Sequence, residues 1–384
     1  MTSPAPSEAS PRARAGATAL RALLHGGPED LYPMAFGEPP EAWTRAALEG
    51  LDRLEAGLRL DEVDGFGSSL VQGLLHLARG PVARGLLESV GRRRLLGELI
   101  LNIAEPGRIN QGHKGTCSVT CIESWVAERY PAEYARLLAG LCSPSGGVGL
   151  RNGEALVRDA ARLVWQPEEA RRTPISRLFQ AAAMELAYPE LDYHDGLDLQ
   201  LPESGQGEAT STGVGLAAFD RLLEGISGRP WSVLTDQNAV LARALNLPAG
   251  STLDLARDGL GIIARALASG QAAFVTLASP DPSSAPPRAP PSAPAAGHPL
   301  RRLPHKIRVL ALHDDHVDYD DPLDPDAPWI PDAPTTVLDA RGRCRMARSD
   351  FQGLMVELSY PPDCAPGEHH SGSGISSSAA TISS

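Results

Sequence analysis

The sequence predicts an α+β protein, with helices through the first two thirds and an antiparallel β region in the last third. Three observations predict it. Apolar residues recur at helical spacing between residues 42 and 268. Short apolar runs bounded by turn residues take over after residue 270. A Pro/Ala/Ser tract at 280–299 then interrupts the strands, as an extended insertion does. Strands and helices segregated along a chain define this class, whereas a parallel α/β sheet alternates them.

Residues 1–15 are Ser, Pro, Ala and Arg, and read as a disordered leader. Within 42–58, Trp43, Ala47, Leu51, Leu54 and Leu58 fall at helical spacing. Residues 69–103 continue the pattern with Leu70, Leu74, Leu77, Val82, Leu86 and Leu87, and Gly80-Pro81 divides them into two helices. Residues 16–104 thus form a helical N-terminal region, read either as a binding or regulatory module or as a flank that completes the core. A Pro/Gly loop then enters the helix CSVTCIESWVAERY, and Pro131 suits the first position of another. The Gly-rich stretch 143–153 reads as loop, without the lysine and spacing of a phosphate loop. Helices follow near 154–164, 175–188, 214–226, 236–246 and 252–268, with a long acidic loop over 189–213. Residues 272–278 read as a buried strand, IRVLAL and VDYDD as a hairpin around HDDH, and TTVLDA and MVELSY as further strands. The tail 363–384 is of low complexity and reads as disordered.

Composition narrows the function. The net charge of −12 argues against a broad phosphate-backbone contact, so nucleic acid is not an expected partner. The longest apolar runs fall short of a membrane span. The N-terminus lacks the apolar segment of a conventional signal peptide, which leaves a cytoplasmic protein or one exported by another route, a delivered effector included. Lys114 and Lys306 are the only lysines, and this bias toward Arg, Gly, Ala and Pro matches GC-rich bacterial coding. Five Cys residues without a C-x-x-C pair make a poor disulfide scaffold.

The chemistry concentrates in Asn110-Gln111-Gly112-His113-Lys114-Gly115-Thr116-Cys117. A thiol is most nucleophilic as a thiolate, and a helix N-terminus favours that form. Cys117 stands at such a junction. Gln111 supplies a side-chain donor to a developing oxyanion and the Cys117 N–H a second, while Gly112 and Gly115 let the loop fold back. Cys121, one turn on, and Trp125 read as core, and His113 as a solvent-facing loop residue.

N-Q-G-x-x-G-[ST]-C resembles the nucleophile segment of the papain-like cysteine peptidases, which makes Gln111 the oxyanion-hole residue and Cys117 the nucleophile. Downstream, HKIRVLAL and HDDHVDYDDP resemble the histidine segment of the bacteriocin-leader (double-glycine) peptidases, with His305 as the base and Asp321, before Pro322, as the orienting acid. RSDFQGLMVELSY resembles the closing helix and strand of that group. The sequence departs from the pattern at Ser118, where papain-like enzymes often carry an aromatic residue, and at Lys114, where a disulfide Cys is common. The resemblance implies a two-lobed papain-like fold over 105–362, a helical lobe followed by a β lobe, with 16–104 an addition to it.

Hairpin arithmetic leaves the third triad member open. A turn centred on Asp314-Asp315 sets His305 opposite Asp324, so Asp320 and Asp324 compete with Asp321. His298 and His313 are the rivals for the base. The cluster from His313 to Asp321 reads as a solvated acidic turn, with a metal site of N and O ligands as its other reading. No cofactor and no metal are expected. The expected activity is hydrolysis of a peptide or isopeptide bond in a protein or peptide substrate. The same triad as a transglutaminase or deamidase, and a catalytically silent interaction protein, are the alternatives.

Overall fold

The computed structural model describes residues 8–26, 40–112, 114–159, 172–187, 193, 214, 216–235, 253–278, 305–323, 335–339 and 342–365. Helix α1 (Pro11–Leu24) overturns the leader reading at residues 11–15. Ser10 caps it, accepting the Ala13 N–H at 3.1 Å, Pro11 fills its first turn, and Asp61 holds Ser10 through both its N–H and its hydroxyl. Ala13, Ala17, Leu20 and Leu24 then bury one face.

Helix α2 (Pro40–Ala56) buries Trp43, Ala47, Leu51 and Leu54 at the expected spacing. The next stretch holds three helices rather than two: α3 (Leu70–Arg79), α4 (Arg84–Ser89) and α5 (Arg92–Ala104). The second break falls at Gly91, whose φ of 85° suits glycine. Helices α6 (Cys117–Arg129) and α7 (Pro131–Cys142) follow. A small hairpin, β1 (Gly147–Gly149) and β2 (Ala155–Val157), corrects both the loop reading at 147–149 and the helix reading at 155–157. Of Ala155, Leu156 and Val157 only Leu156 is buried, the two-residue alternation of a strand.

Helices α8 (Pro174–Ala187), α9 (Leu216–Ser227) and α10 (Leu255–Ala268) stand as expected, and between the last two lies β3 (Ser232–Thr235), which was not anticipated. The sheet continues with β4 (Ala273–Leu277), β5 (His305–Leu312), β6 (His316–Asp320), β7 (Thr335–Val337), β8 (Arg343–Ala347) and β9 (Met355–Tyr360), with α11 (Arg348–Leu354) before β9. Apart from Tyr193, the expected loop at 189–213 lies outside the described residues, as do the helix at 236–246, the tract at 280–299 and the tail beyond residue 365. At 363–365 the disordered reading is corrected, since a short turn at Pro362–Cys364 buries Cys364 and the Arg265 side chain donates to its carbonyl.

The seven strands run in the order β3-β9-β4-β5-β6-β8-β7, every neighbouring pair antiparallel, so the fold is α+β. The sheet separates two apolar cores. One joins helices α1 to α9 and receives Phe274, while the other joins the opposite sheet face to α10 and α11 through Ala273, Val275, Ile307, Val309 and Tyr319. The N-terminal helices share the first core with α6, so this region packs as a flank of the Cys117 helix. Where β5 faces α6 the interface is charged. Lys306 pairs with Glu357, and Arg308 pairs with Asp320 and with Glu128 on α6. Among the described residues no helix is long and apolar enough to cross a membrane.

Candidate functional site

Cys117 is the first residue of α6. Thr116 precedes it as N-cap but makes no side-chain cap; its hydroxyl instead donates to Gln180 Oε1 on α8 at 3.0 Å. The first-turn N–H groups therefore keep their partial positive charge at the sulfur. The loop before Cys117 is stitched from several sides. Asn110 Oδ1 accepts the Gly112 N–H at 3.0 Å, and Gly112 has the positive φ of 60° that this turn needs. Gln111 is buried, its Nε2 donates to the Lys114 carbonyl at 2.5 Å, and its backbone N–H donates to the Pro322 carbonyl at 2.7 Å. The glycine-rich loop thus folds back on itself and is tied to the segment that carries Asp321.

His305 opens β5, 4 % exposed, and its Nε2 lies 2.8 Å from Asp321 Oδ1. The ring also hydrogen-bonds the Cys117 side chain. With Nε2 committed to Asp321, the nitrogen left for the sulfur is Nδ1. Asp321 is itself fixed: Oδ1 accepts the Leu323 N–H at 3.0 Å, and its own N–H donates to the Gly342 carbonyl at 2.9 Å. Gly342 has φ of 80°, and a Cβ there would stand 2.7 Å from the Asp321 carbonyl oxygen.

A bulge in β5 selects Asp321 from its neighbours. Near the turn Leu312 pairs with Val317 and Ala311 with Asp318, the register expected from the sequence. Leu310 is then passed over, and Val309 pairs with Tyr319 and Arg308 with Asp320. Continued one step, this register sets Asp321 across from Ile307, on the face His305 shares, and Asp320 on the face of Arg308. Asp320 accordingly bonds Arg308 at 3.1 Å and Ser124 on α6 at 2.9 Å, not the imidazole. The equal-arm pairing of His305 with Asp324 is corrected by this shift. Asp324, His113 and His298 lie outside the described residues. His313 stands at the far end of β5, away from Cys117.

The electrostatics separate one thiol from four. Burial works against ionisation of Cys117, but the His305 hydrogen bond and charge, the Lys306 backbone N–H and Ser118 outweigh it and lower the thiol. Burial likewise works against a charged imidazole, yet the Asp321 carboxylate and Cys117 lift His305 to about 10. Desolvation raises the other four, Cys142 and Cys344 to about 12. Cys121 shares the face of Cys117 and spends its S–H on the Lys306 carbonyl at 3.3 Å, a packing role. Trp125 sits edge-on to Tyr130, Trp231 and Phe274 in the core.

Sequence reasoning missed the brace behind the loop. Gln180 is fully buried; its Oε1 accepts from Thr116, and its Nε2 donates to the Asn110 carbonyl at 3.2 Å and to Glu123 Oε2 at 2.8 Å. One side chain of α8 thereby holds the residue before Gln111 and the residue before Cys117. A glutamine on the apolar face of PISRLFQAAAMELA was the available signal. No family model, curated protein or solved structure matches the chain.

Proposed function

We propose that the protein is a papain-like thiol hydrolase that cleaves a peptide or isopeptide bond through a thioester on Cys117. The observation that carries this reading is the continuous chain from the Cys117 thiol through the His305 ring to Asp321, in which Cys117 alone of the five thiols is favoured as thiolate. The thiolate attacks the substrate carbonyl carbon. The Cys117 N–H and the second N–H of the Gln111 amide receive the developing oxyanion. His305, already protonated, delivers its proton to the leaving amine, then takes one from the water that attacks the thioester. Asp321 keeps the proton on Nε2, so Nδ1 faces the sulfur throughout. Attack by water releases an acid and restores the thiol, so the cycle needs no cofactor.

Selective alkylation tests the reading. At pH 6 an ordinary thiol is a few tenths of a per cent ionised, so iodoacetamide should label Cys117 at least about tenfold ahead of the other four, after allowance for the weaker nucleophilicity of a low-pKa thiolate. Equal labelling of all five would favour a silent binding protein. A labelled primary amine offered with a protein acceptor separates the acyl acceptors. Incorporation that depends on Cys117 and outruns hydrolysis would replace the hydrolase with a transglutaminase.

A further inference from the structure

The hairpin that carries His305 and Asp321 at one end carries a second cluster at its other end, which the proposed reaction does not use. The turn Asp314-Asp315 closes with the His313 N–H on the His316 carbonyl at 2.9 Å, so the two histidines stand opposite each other across the strands. Asp318 follows two residues along β6, on the face of His316. One residue from one arm and an i, i+2 pair from the other converge as a three-donor face. The imidazole rings stack with centroids 4.1 Å apart, and one donor atom from each of His313, His316 and Asp318 lies within 4.8 Å of the others.

The donors are already oriented. Asp315 Oδ1 accepts from His316 Nδ1 at 2.5 Å, which leaves the lone pair on Nε2. That Nε2 is buried without a hydrogen-bond partner and lies 3.8 Å from Asp318 Oδ1. His313 Nε2 lies 3.4 Å from Asp318 Oδ2. A carboxylate behind a histidine, fixing the tautomer that presents its other nitrogen, is the usual outer shell of a metal ligand. Arg345 grips both Asp318 oxygens, at 2.7 and 2.9 Å. It keeps the carboxylate ionised and aimed, and as a neighbouring cation it weakens the binding of another cation. Arg348 reaches the turn through backbone carbonyls, its guanidinium donating to His313 at 3.3 Å and its N–H to Asp315 at 2.9 Å.

We propose that His313, His316 and Asp318 bind a divalent first-row transition-metal ion at the tip of the β5–β6 hairpin, with Asp315 as the outer-shell partner of His316. Two imidazoles and one carboxylate select such an ion over Mg²⁺ or Ca²⁺, which prefer all-oxygen shells. Ligands at about 2.0–2.1 Å stand roughly 3.4 Å apart in a tetrahedron, so small side-chain rotations close the site. The bound ion staples the two arms that position His305 and Asp321, which lie about 26 Å from His313 and about 16 Å from His316, respectively, along their strands at ~3.3 Å per residue.

The test is Co²⁺ titration of the full chain carrying Cys117→Ser, followed by visible absorption, with Zn²⁺ calorimetry alongside. Removing the thiol keeps the soft thiolate from capturing the probe, so failure of the hydrolase reading leaves the result unaffected. One saturable site is expected. His313→Ala and His316→Ala should each weaken it at least tenfold, Asp315→Asn about tenfold, and the tail double variant His369→Ala/His370→Ala should leave it unchanged. Zn²⁺ should raise the melting temperature of the Cys117→Ser chain but not of its His316→Ala derivative. Metal-free melting temperatures equal to the parent would show that each variant folds. Affinity untouched by His313→Ala and His316→Ala, or no saturable binding up to millimolar Co²⁺, overturns the proposal.

Discussion

Replacing Asp321 with Asn isolates the charge that holds the dyad. The His305 imidazole stands at about 10 against an ordinary 6.5, which at 1.36 kcal/mol per unit is about 5 kcal/mol in favour of the charged ring. Burial acts the other way, so Asp321 and the Cys117 thiolate together supply more than that difference. Asn keeps an oxygen for the Nε2–H and for the Leu323 N–H, both now held by Oδ1. The substitution therefore exchanges a charge-assisted hydrogen bond of about 1.5–3 kcal/mol for a neutral one of about 1 kcal/mol. A net loss of about 0.5–2 kcal/mol is roughly 2- to 30-fold in the equilibrium constant for thiolate–imidazolium over thiol–imidazole. The assay is the rate of Cys117 alkylation by iodoacetamide between pH 4.5 and 9, read by mass spectrometry of the labelled peptide. The acid limb of the profile should move up by about one unit. The sign for stability follows from the same group. A histidine whose folded value is raised stabilises the fold fully below its unfolded value of 6.5 and loses that contribution as pH rises through about 10. The melting-temperature gap between the native chain and Asp321→Asn should accordingly be widest near pH 6 and shrink above pH 10. An alkylation profile with its acid limb unmoved would refute the coupling of carboxylate, ring and thiol.

Gln180→Met keeps the volume of the brace and removes its hydrogen bonds. Hydrogen exchange of the 110–118 segment should rise about tenfold, equivalent to about 1.4 kcal/mol of lost local protection, while Tyr134→Phe, which alters the same buried network at Glu123, leaves that segment unchanged. Gly342→Ala forces an L side chain into φ of 80° against the Asp321 carbonyl; a loss of about 1–3 kcal/mol in urea unfolding is expected, together with slower Cys117 alkylation. Burial raises half-buried Asp220 on α9 to about 6, against the attraction of Lys306. For an acid raised on folding, stability is present below its unfolded value of 3.8 and lost as pH rises through about 6. Asp220→Asn should therefore raise the unfolding free energy at pH 7 and not at pH 4, by about 1 kcal/mol once solvent screening at this partly exposed carboxylate is allowed for, as read by urea unfolding.

The elements legible in the sequence were those whose pattern is long. α2, α10 and the β5–β6 hairpin carry enough periodic residues to be read from the chain alone. Those that were missed are short or carried by tertiary partners. β3 is four residues and exists because Ser232–Thr235 pairs with β9, more than a hundred residues away. β8 alternates Cys344 and Met346 with arginines, a pattern weak in β-branched residues. α1 was hidden by a Ser/Pro/Ala/Arg composition, although Ser10-Pro11 is a helix start whose partner, Asp61, no local reading supplies. At the site, Cys117, Gln111 and His305 were legible because chemistry restricts the residue types and a loop or strand start marks the place. The acid, Asp321, was indicated by the resemblance alone; the hairpin arithmetic left Asp320 and Asp324 beside it, because the choice turns on a bulge, and bulges leave no reliable trace in hydrophobic alternation. Gln180 was illegible because what makes it matter is the loop packed against α8, not its own neighbours in the chain.

Leu310 works as a vernier between two adjacent carboxylates. With it, one aspartate faces the imidazole and its neighbour is sunk in an ion pair with Arg308, the arginine that also holds Glu128. Excising that single residue would slide one arm past the other by half a pleat and trade the two assignments, handing the helix contact the acid meant for the ring. Length variation among homologues should therefore be tolerated at the turn only in steps that preserve parity, and a hairpin one residue shorter in either arm should carry its acid at a different place in the motif.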